Sequence, residues 1–374
     1  MSTTPAGIAL LGAGIFAKEA YLPALASLGD AAPPLKAVYS RSETSAKALV
    51  VAASEVLKLT QPPSIYYDSD NDSSVNLAAL LARDDITAVV VALPITTQPG
   101  IIVKALEAGK HVLSEKPVAP DVKQGLELIR QFDEKYKPKG LFWRVAENFE
   151  AEPGIQAAAK AIRDGKIGNV IFFKAVAVNY VNKESKWYKT PWRTVPDYQG
   201  GFLLDGGVHT IAVLRTILPN PLTHLSAFAS LNKDYLKPHD TINAIVKSDE
   251  RFHGTVELTW GFPTNTKPQT DGFVVTGSKG WMSINHLWSP PVVKVVIKSI
   301  TEAEDGKEEV VEEVIEETGR GVEFELRSFF DAIAGRDDGL GLGDPSAALV
   351  DVAVIQAALN SHGNLVALDQ LLAA

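Results

Sequence analysis

The chain contains no cysteine, which excludes disulfides, thiolate catalysis and zinc–sulfur centres. Its seven histidines (111, 209, 224, 239, 253, 286, 362) form neither an HxH nor an HExxH spacing, so no metal is expected. Long hydrophobic runs are missing too. The apolar run nearest the N-terminus, Ile8–Leu11, has no basic region before it and is too short for a secretory signal or a membrane span. These absences give the expectation of a cytoplasmic protein with no membrane partner. Positive charge is in deficit: 36 Lys and Arg against 45 Asp and Glu leave a net charge of -9. A surface of that sign repels phosphate backbones, so nucleic acid is not an expected partner, although one small basic pocket for a phosphorylated cofactor is compatible with it. What the chain does have is length and apolar content. With 374 residues, 46% of them hydrophobic and 22% charged, it can bury a large core and divide into two domains.

Over the first 145 residues short apolar runs alternate with helical patterns. Gly7–Leu11 reads as a buried strand and Ile15–Leu28 as a helix. Leu35–Ser40, Ile65–Tyr67, Ala88–Leu93, His111–Ser114 and Gly140–Val145 read as further strands, with helices at Ser73–Ala82, Thr97–Ala108 and Asp121–Tyr136. Ser42 can cap the helix after the second strand. Such alternation implies a doubly wound parallel sheet, because parallel strands need helical crossovers. The pattern changes after a helix at Pro153–Asp164. Strand-like stretches follow at 170–181, 223–231, 241–248, 252–262, 272–277, 280–285, 292–300 and 308–316, several joined by short turns such as Gly277–Gly280 and Ala303–Gly306. Helices return at Phe324–Ala334 and Ala347–Ser361. The expected fold is therefore an α/β Rossmann domain at 1–146 and an α+β domain at 147–374 with a large, mainly antiparallel open sheet, its C-terminal helix free to pack back on the first domain. The acidic stretch Glu302–Glu317 reads as the solvated face of an edge hairpin.

Four motifs carry chemistry. Gly12-Ala-Gly14-Ile15-Phe16-Ala17 ends the first strand and opens a helix. Gly12 permits the tight turn, Gly14 lets a pyrophosphate approach the backbone, and Ala17 allows close helix–strand packing, with the phosphates on the helix N-terminus. The second motif is an omission. The end of the second strand, Val38-Tyr39-Ser40-Arg41-Ser42, lacks the carboxylate that accepts hydrogen bonds from an NAD ribose. Arg41 offers a permanently charged fork and Ser40 a hydroxyl to a 2′-phosphate, which favours NADP. Third, Glu115-Lys116-Pro117 follows the fifth strand at the ligand-binding edge of the sheet. Fourth, Gly200-Gly201-Phe-Leu-Leu-Asp205-Gly-Gly-Val-His209 spaces an acid and an imidazole four apart, on one helix face. A carboxylate beside an imidazole can hold it for proton transfer. Glycines around Asp205 are poor helix formers, and close approach of a ligand would explain them.

In this order and spacing, Gly12–Ala17, Glu115-Lys116-Pro117 and Gly200…Asp205…His209 resemble the glucose–fructose oxidoreductase/inositol dehydrogenase (Gfo/Idh/MocA) family. The resemblance covers essentially the whole chain, including the change of pattern near residue 146. Thr190-Pro-Trp192-Arg193 and Val145-Ala-Glu-Asn148 look most like fungal NADP(H)-dependent members. The resemblance implies reversible hydride transfer at a carbonyl or alcohol carbon of a sugar, polyol, dihydrodiol or other small carbonyl compound. Lys116 would polarise the substrate oxygen, His209 would exchange the proton, and Asp205 would orient the substrate or His209. The readings together assign Gly12, Gly14, Ile15, Phe16, Ser40 and Arg41 to the cofactor, joined by Leu93, Glu115, Lys116, Asn148 and Arg193. Trp192 is assigned to the substrate with Asp205 and His209. A cis Lys116–Pro117 bond and a homodimer through the large sheet are also implied.

Two departures from the family stand out. Where many relatives carry Asn-Arg-Arg-Phe after the sixth strand, this chain has Asn148-Phe149-Glu150-Ala151, and Gln98 replaces a frequent histidine. Both argue against a standard monosaccharide or inositol substrate. Trp187, Tyr188 and Trp192 either line the substrate mouth or pack their loop. A non-enzymatic NADP-binding sensor with a protein partner, and an NAD-dependent sugar dehydrogenase, are the alternatives.

Overall fold

The computed structural model describes residues 6–248, 251–268, 270–302, 307–336 and 339–373. The turn expected at Ala303–Gly306 lies outside them. The chain forms two compact units, and the division is not a single cut near residue 146. Unit 1 comprises Met1–Ala119, Gln124–Asn148 and Val322–Leu349; unit 2 comprises Pro120–Lys123, Phe149–Gly321 and Val350–Ala374. Val322–Leu349 belongs with the first unit.

In unit 1, β1 (Ile8–Leu11) leads through a π-helical turn, Ala17–Tyr21, into α1 (Leu22–Leu28). Then come β2 (Leu35–Ser40), α2 (Glu43–Val56), β3 (Ser64–Tyr67), α3 (Leu77–Leu81), β4 (Ala88–Val91), α4 (Gln98–Glu107), β5 (His111–Glu115), α5 (Val122–Lys135) and β6 (Trp143–Ala146). The strands pair in parallel in the order β3-β2-β1-β4-β5-β6. Leu10, Val38, Val90 and Leu113 are buried in the core beneath α1 and α2, which also takes in Phe329 and Phe330 from the far end of the sequence. Ser42 caps α2 as expected, its Oγ accepting from the Ser45 amide at 3.3 Å. The helix expected over Ser73–Ala82 is broken instead. A 3₁₀ turn at Ser73–Val75 ends where Asn76 accepts from the Ala79 amide and starts α3 afresh, as a side chain that competes for backbone donors does.

Unit 2 contains α6 (Pro153–Arg163), β7 (Val170–Val178), α7 (Pro191–Thr194), α8 (Phe202–Ile217), β8 (His224–Ser230), β9 (Thr241–Lys247), β10 (His253–Thr259), β11 (Gly272–Gly277), β12 (Gly280–Trp288), β13 (Pro291–Glu302) and β14 (Glu308–Thr318). From Val322 on, α9 (Gly321–Ile333) and the first residues of α10 (Pro345–Asn360) belong to unit 1; the rest of α10, β15 (Val366–Ala367) and α11 (Leu368–Ala373) complete unit 2. Its nine-stranded sheet runs β14-β13-β12-β11-β7-β10-β9-β8-β15. Every named pair is antiparallel except β7 with β10. The acidic strand β14 is an edge, as its composition suggested, with Lys294–Glu316 and Lys298–Glu312 ion pairs across to β13.

Helix α8 lies against one face of this sheet, and the contact is tight. A Cβ placed on Gly206 would come within 2.4 Å of the Trp260 ring, and one on Gly207 within 3.0 Å of Ile355 and 3.2 Å of Leu258. Gly206 is required by packing within the protein and Gly207 is closely packed, so contacts inside the protein, rather than a ligand, account for them. Ahead of the helix, Gly201 has φ +54°, a left-handed conformation that suits glycine. Among the described residues no helix is long and apolar enough to cross a membrane. Gly206→Ala is expected to lower stability by about 1–2 kcal/mol in urea unfolding, because overpacking outweighs the better helix propensity of alanine. A gain in stability would mean that the helix–sheet contact is slack.

Candidate active site

Unit 1 presents the cofactor motif at the C-terminal edge of its sheet. Gly12 leaves β1 at φ +120°, and a Cβ there would sit 2.1 Å from the Ala92 carbonyl oxygen and 3.4 Å from Leu93 Cδ2. Gly12 is therefore fixed by the strand β4 next door. Gly14 is different: a Cβ there would meet nothing within 4 Å, so the protein itself does not require a glycine at that position. Open space over a glycine that starts a helix fits a bound pyrophosphate. Ile15 and Phe16 form the first helical turn, half-buried, with Phe16 edge-on to Tyr21 at 5.3 Å. Ala17 is fully buried, as its packing role requires.

At the end of β2, Ser40 is half-buried and Arg41 exposed. The adjacent Tyr39 donates its hydroxyl to Asp68 at 2.7 Å, and burial together with that carboxylate raises its pKa. Gln98 opens α4 after β4, the strand beside β1 at the point where the strand order reverses. Its carboxamide is 1% exposed, and neither the oxygen nor the nitrogen has a hydrogen-bond partner within the protein. A buried orphaned amide costs free energy unless a partner arrives, so this position too fits a bound group. Glu115, at the end of β5, accepts from the buried Tyr21 hydroxyl at 2.7 Å. Burial first, and Glu115 after it, raise the Tyr21 pKa, which keeps that phenol a donor. Lys116 is half-buried on the same edge, and the Lys116–Pro117 bond is cis as expected. Leu93 and Asn148 are half-buried at the ends of β4 and β6.

Unit 2 carries Asp205 and His209 on α8, so the helix expected from their spacing forms despite its two glycines. Asp205 is 6% exposed and accepts from Arg193 Nε at 2.7 Å. The Arg193 guanidinium in turn lies 4.0 Å from the Trp192 ring centre and 5.2 Å from that of Trp187. Arg193, assigned to the cofactor from the sequence, is thus bonded to the predicted catalytic acid, and two of the loop aromatics pack on it. Tyr198 packs beside Trp192 at 6.0 Å, with its hydroxyl buried and unpartnered. Burial and then Asp205 raise its pKa, so it stays protonated.

One residue left unassigned by the sequence meets His209, and two more stack behind it. Phe149 stacks on it with ring centres 4.3 Å apart and planes 19° apart. His286 stacks on Phe149 at 4.8 Å and 30°, and Trp288 lies 5.8 Å beyond His286 at 20°. Burial, then His209 and Lys267, with Asp271 opposing, lower the His286 pKa to about 4. Glu150, the other departure from the family pattern, joins Asp351 in a buried ion cluster on Arg215, at 2.7 and 3.0 Å.

A parallel sheet with an open phosphate cradle, and a second sheet whose covering helix carries an acid and an imidazole, define a dinucleotide-dependent oxidoreductase class. Comparison with known proteins agrees. Residues 6–139 match the oxidoreductase family with an NAD-binding Rossmann fold, and residues 155–283 match the GFO/IDH/MocA C-terminal domain. The chain is 38% identical to Dehydrogenase FPY6 of Fusarium mangiferae, over 95% of this chain and 96% of that one. It belongs to the Gfo/Idh/MocA oxidoreductase family. An oxidoreductase from Thermotoga maritima superposes with a TM-score of 0.77 at 28% identity, covering 98% of this chain and 99% of the other. KijD10, a 3-ketoreductase from Actinomadura kijaniata solved with TDP-benzene and NADP, shares the fold at a TM-score of 0.72 and 22% identity, over 94% and 96% of the two chains.

The Arg193–Asp205 pair is largely buried, with side chains 13% and 9% exposed. Arg193→Ala should lower stability by about 3–5 kcal/mol in urea unfolding, since it leaves a carboxylate buried without its cation. Adding Asp205→Asn should recover much of that loss. Equal and additive effects of the two changes would show that the pair is not coupled.

Proposed function

We propose that this chain is a cytoplasmic NADP(H)-dependent oxidoreductase that interconverts a carbonyl and an alcohol on a sugar, polyol, dihydrodiol or other small carbonyl compound. The observation that carries the reading is His209, half-buried on a helix whose neighbouring acid is already held by Arg193. An imidazole so placed is suited to exchange a proton with a substrate oxygen. A nicotinamide cofactor bound at Gly12–Ala17 would supply or accept hydride at its ring. Lys116 would donate a hydrogen bond to the substrate oxygen and draw charge from the carbonyl carbon during reduction. His209 would give its proton to that oxygen, and in oxidation it would take the proton back. The Arg193–Asp205 pair would hold the start of α8 and leave the proton chemistry to His209.

The preference for NADP rests on the residues after β2. The fold serves either nicotinamide cofactor, and the deciding group is what meets the ribose. Here that place offers the Ser40 hydroxyl and the exposed Arg41 guanidinium with no acid between them. NADPH should therefore bind more tightly than NADH in a fluorescence titration, and Arg41→Ala should weaken NADPH alone. Tighter binding of NADH would remove the role given to Arg41. His209→Ala and Lys116→Ala should each reduce turnover about 10²–10⁴-fold on a panel of D-glucose, D-xylose, myo-inositol, glyceraldehyde and benzaldehyde. NADPH affinity should stay close to that of the parent. Wild-type rates in both variants would overturn the chemistry. Tight NADPH binding with no turnover of any compound would favour the sensor alternative.

The open face of the large sheet supports a homodimer. Phe172, Phe228, Ile245 and Trp281 share that face by strand register and are 39%, 69%, 61% and 37% exposed. Apolar side chains in such numbers on one face are suited to a second copy. Sedimentation should give a dimer for the wild type and a monomer for Ile245→Glu; a monomeric wild type at micromolar concentration would contradict this.

A further inference from the structure

The stack on His209 is built by three separate parts of unit 2. On β12, Met282 and Ile284 are buried and alternate with exposed or half-buried neighbours, so His286 continues the covered face, and Trp288, on the same side of the strand, is exposed at its end. His286 pairs with Val293 of β13, and Val293 is the residue on which α6 rests, because a Cβ on Gly154 would fall 2.5 Å from it. Phe149 lies five positions before Gly154 and enters between His286 and His209. The ring that touches the imidazole is therefore set by the seating of α6 on the sheet.

We propose that Phe149, backed by His286, is a positioning residue for His209. One face of the imidazole is covered by Phe149. A ring clamped in one plane keeps its nitrogen aimed at one point, and small misplacements of a catalytic group are costly in rate. His286 is suited to the outer place because it supplies a flat ring that is uncharged at neutral pH. The titratable groups that face it are His209 on α8, and Lys267 and Asp271 on the strand-to-strand loop before β11; the last two are paired with each other at 2.7 Å. Stability alone would place a phenyl ring there, since His286 Nε2 is buried without a partner in the protein.

This inference rests on the reading of His209 as the proton-exchange group, and the test separates the two. Phe149→Leu keeps the apolar volume and removes the ring. It should lower kcat by about 10²-fold with KM and NADPH affinity nearly unchanged, on whichever compound of the five-member panel the wild type turns over. Phe149→Tyr, which keeps the ring, should restore turnover. Should Phe149→Leu fail to fold, as judged by melting and NADPH binding, His286→Leu applies the test from the far side of the stack, with a smaller fall in kcat and the same unchanged KM. A Phe149→Leu protein with wild-type kcat would overturn the inference. If His209→Ala also kept the wild-type rate, the functional reading would fall with it; if His209→Ala were inactive, only the stack's role would fall.

Discussion

Gly206 and Gly207 let α8 lie so close to the large sheet and to α10 that Trp260, Leu258 and Ile355 reach its surface, and the rest of the site in unit 2 depends on that contact. With the helix seated, Asp205 is carried to Arg193 and His209 to Phe149. A side chain at Gly206 would press into the Trp260 ring, on the turn of helix between Asp205 and His209. Close packing of this kind fixes direction as well as stability, because a core near crystal density has little room for rotation. The acid and the imidazole have different neighbours as a result. Asp205 faces a cation braced by tryptophans, whereas His209 faces an uncharged ring.

Unit 1 follows a different rule. Its cradle is shaped by backbone rather than side chains: Gly12 is forced by the Ala92 carbonyl, while the room over Gly14 serves nothing inside the protein. The orphaned amide of Gln98 marks the same edge of the sheet. Glu115 is occupied by the Tyr21 hydroxyl, which arrives from the π-helical turn just after the glycine loop. Widened turns of that kind recur at functional sites. The loop, the strand end and the turn are thus one connected construction, and the family match over residues 6–139 covers all of it.

How much of this was readable in the sequence varied with the range of the interaction. The parallel sheet, and the strands of the large sheet from β7 to β14, could be read because periodicity and turn residues are local signals. So could Gly12–Ala17, Glu115–Pro117 and the Asp205–His209 pair, each a short motif. The glycines beside Asp205 were misread because their partners, Trp260 and Ile355, lie about 50 and 150 positions away. The break at Asn76 was missed because the apolar pattern of Val75, Leu77, Leu80 and Leu81 runs through it, while the cap is a single polar side chain. Phe149 and His286 were also out of reach. Their meeting depends on the register of β12 against β13 and on the packing of α6, and neither leaves a mark on nearby sequence. The departure at Asn148-Phe149-Glu150 was visible as an anomaly, yet only the fold gives it content: one residue stacks on the imidazole and the next joins a buried ion cluster.

The central claim is that this chain moves hydride between NADPH and a small carbonyl or alcohol compound. Its most direct test uses NADPH deuterated at the nicotinamide C4, each of the two faces labelled in turn, with mass spectrometry of the reduced product. The account predicts that deuterium from one face alone appears on the carbon that was the carbonyl. Bound NADPH with no deuterium in any product, from either face, would contradict it.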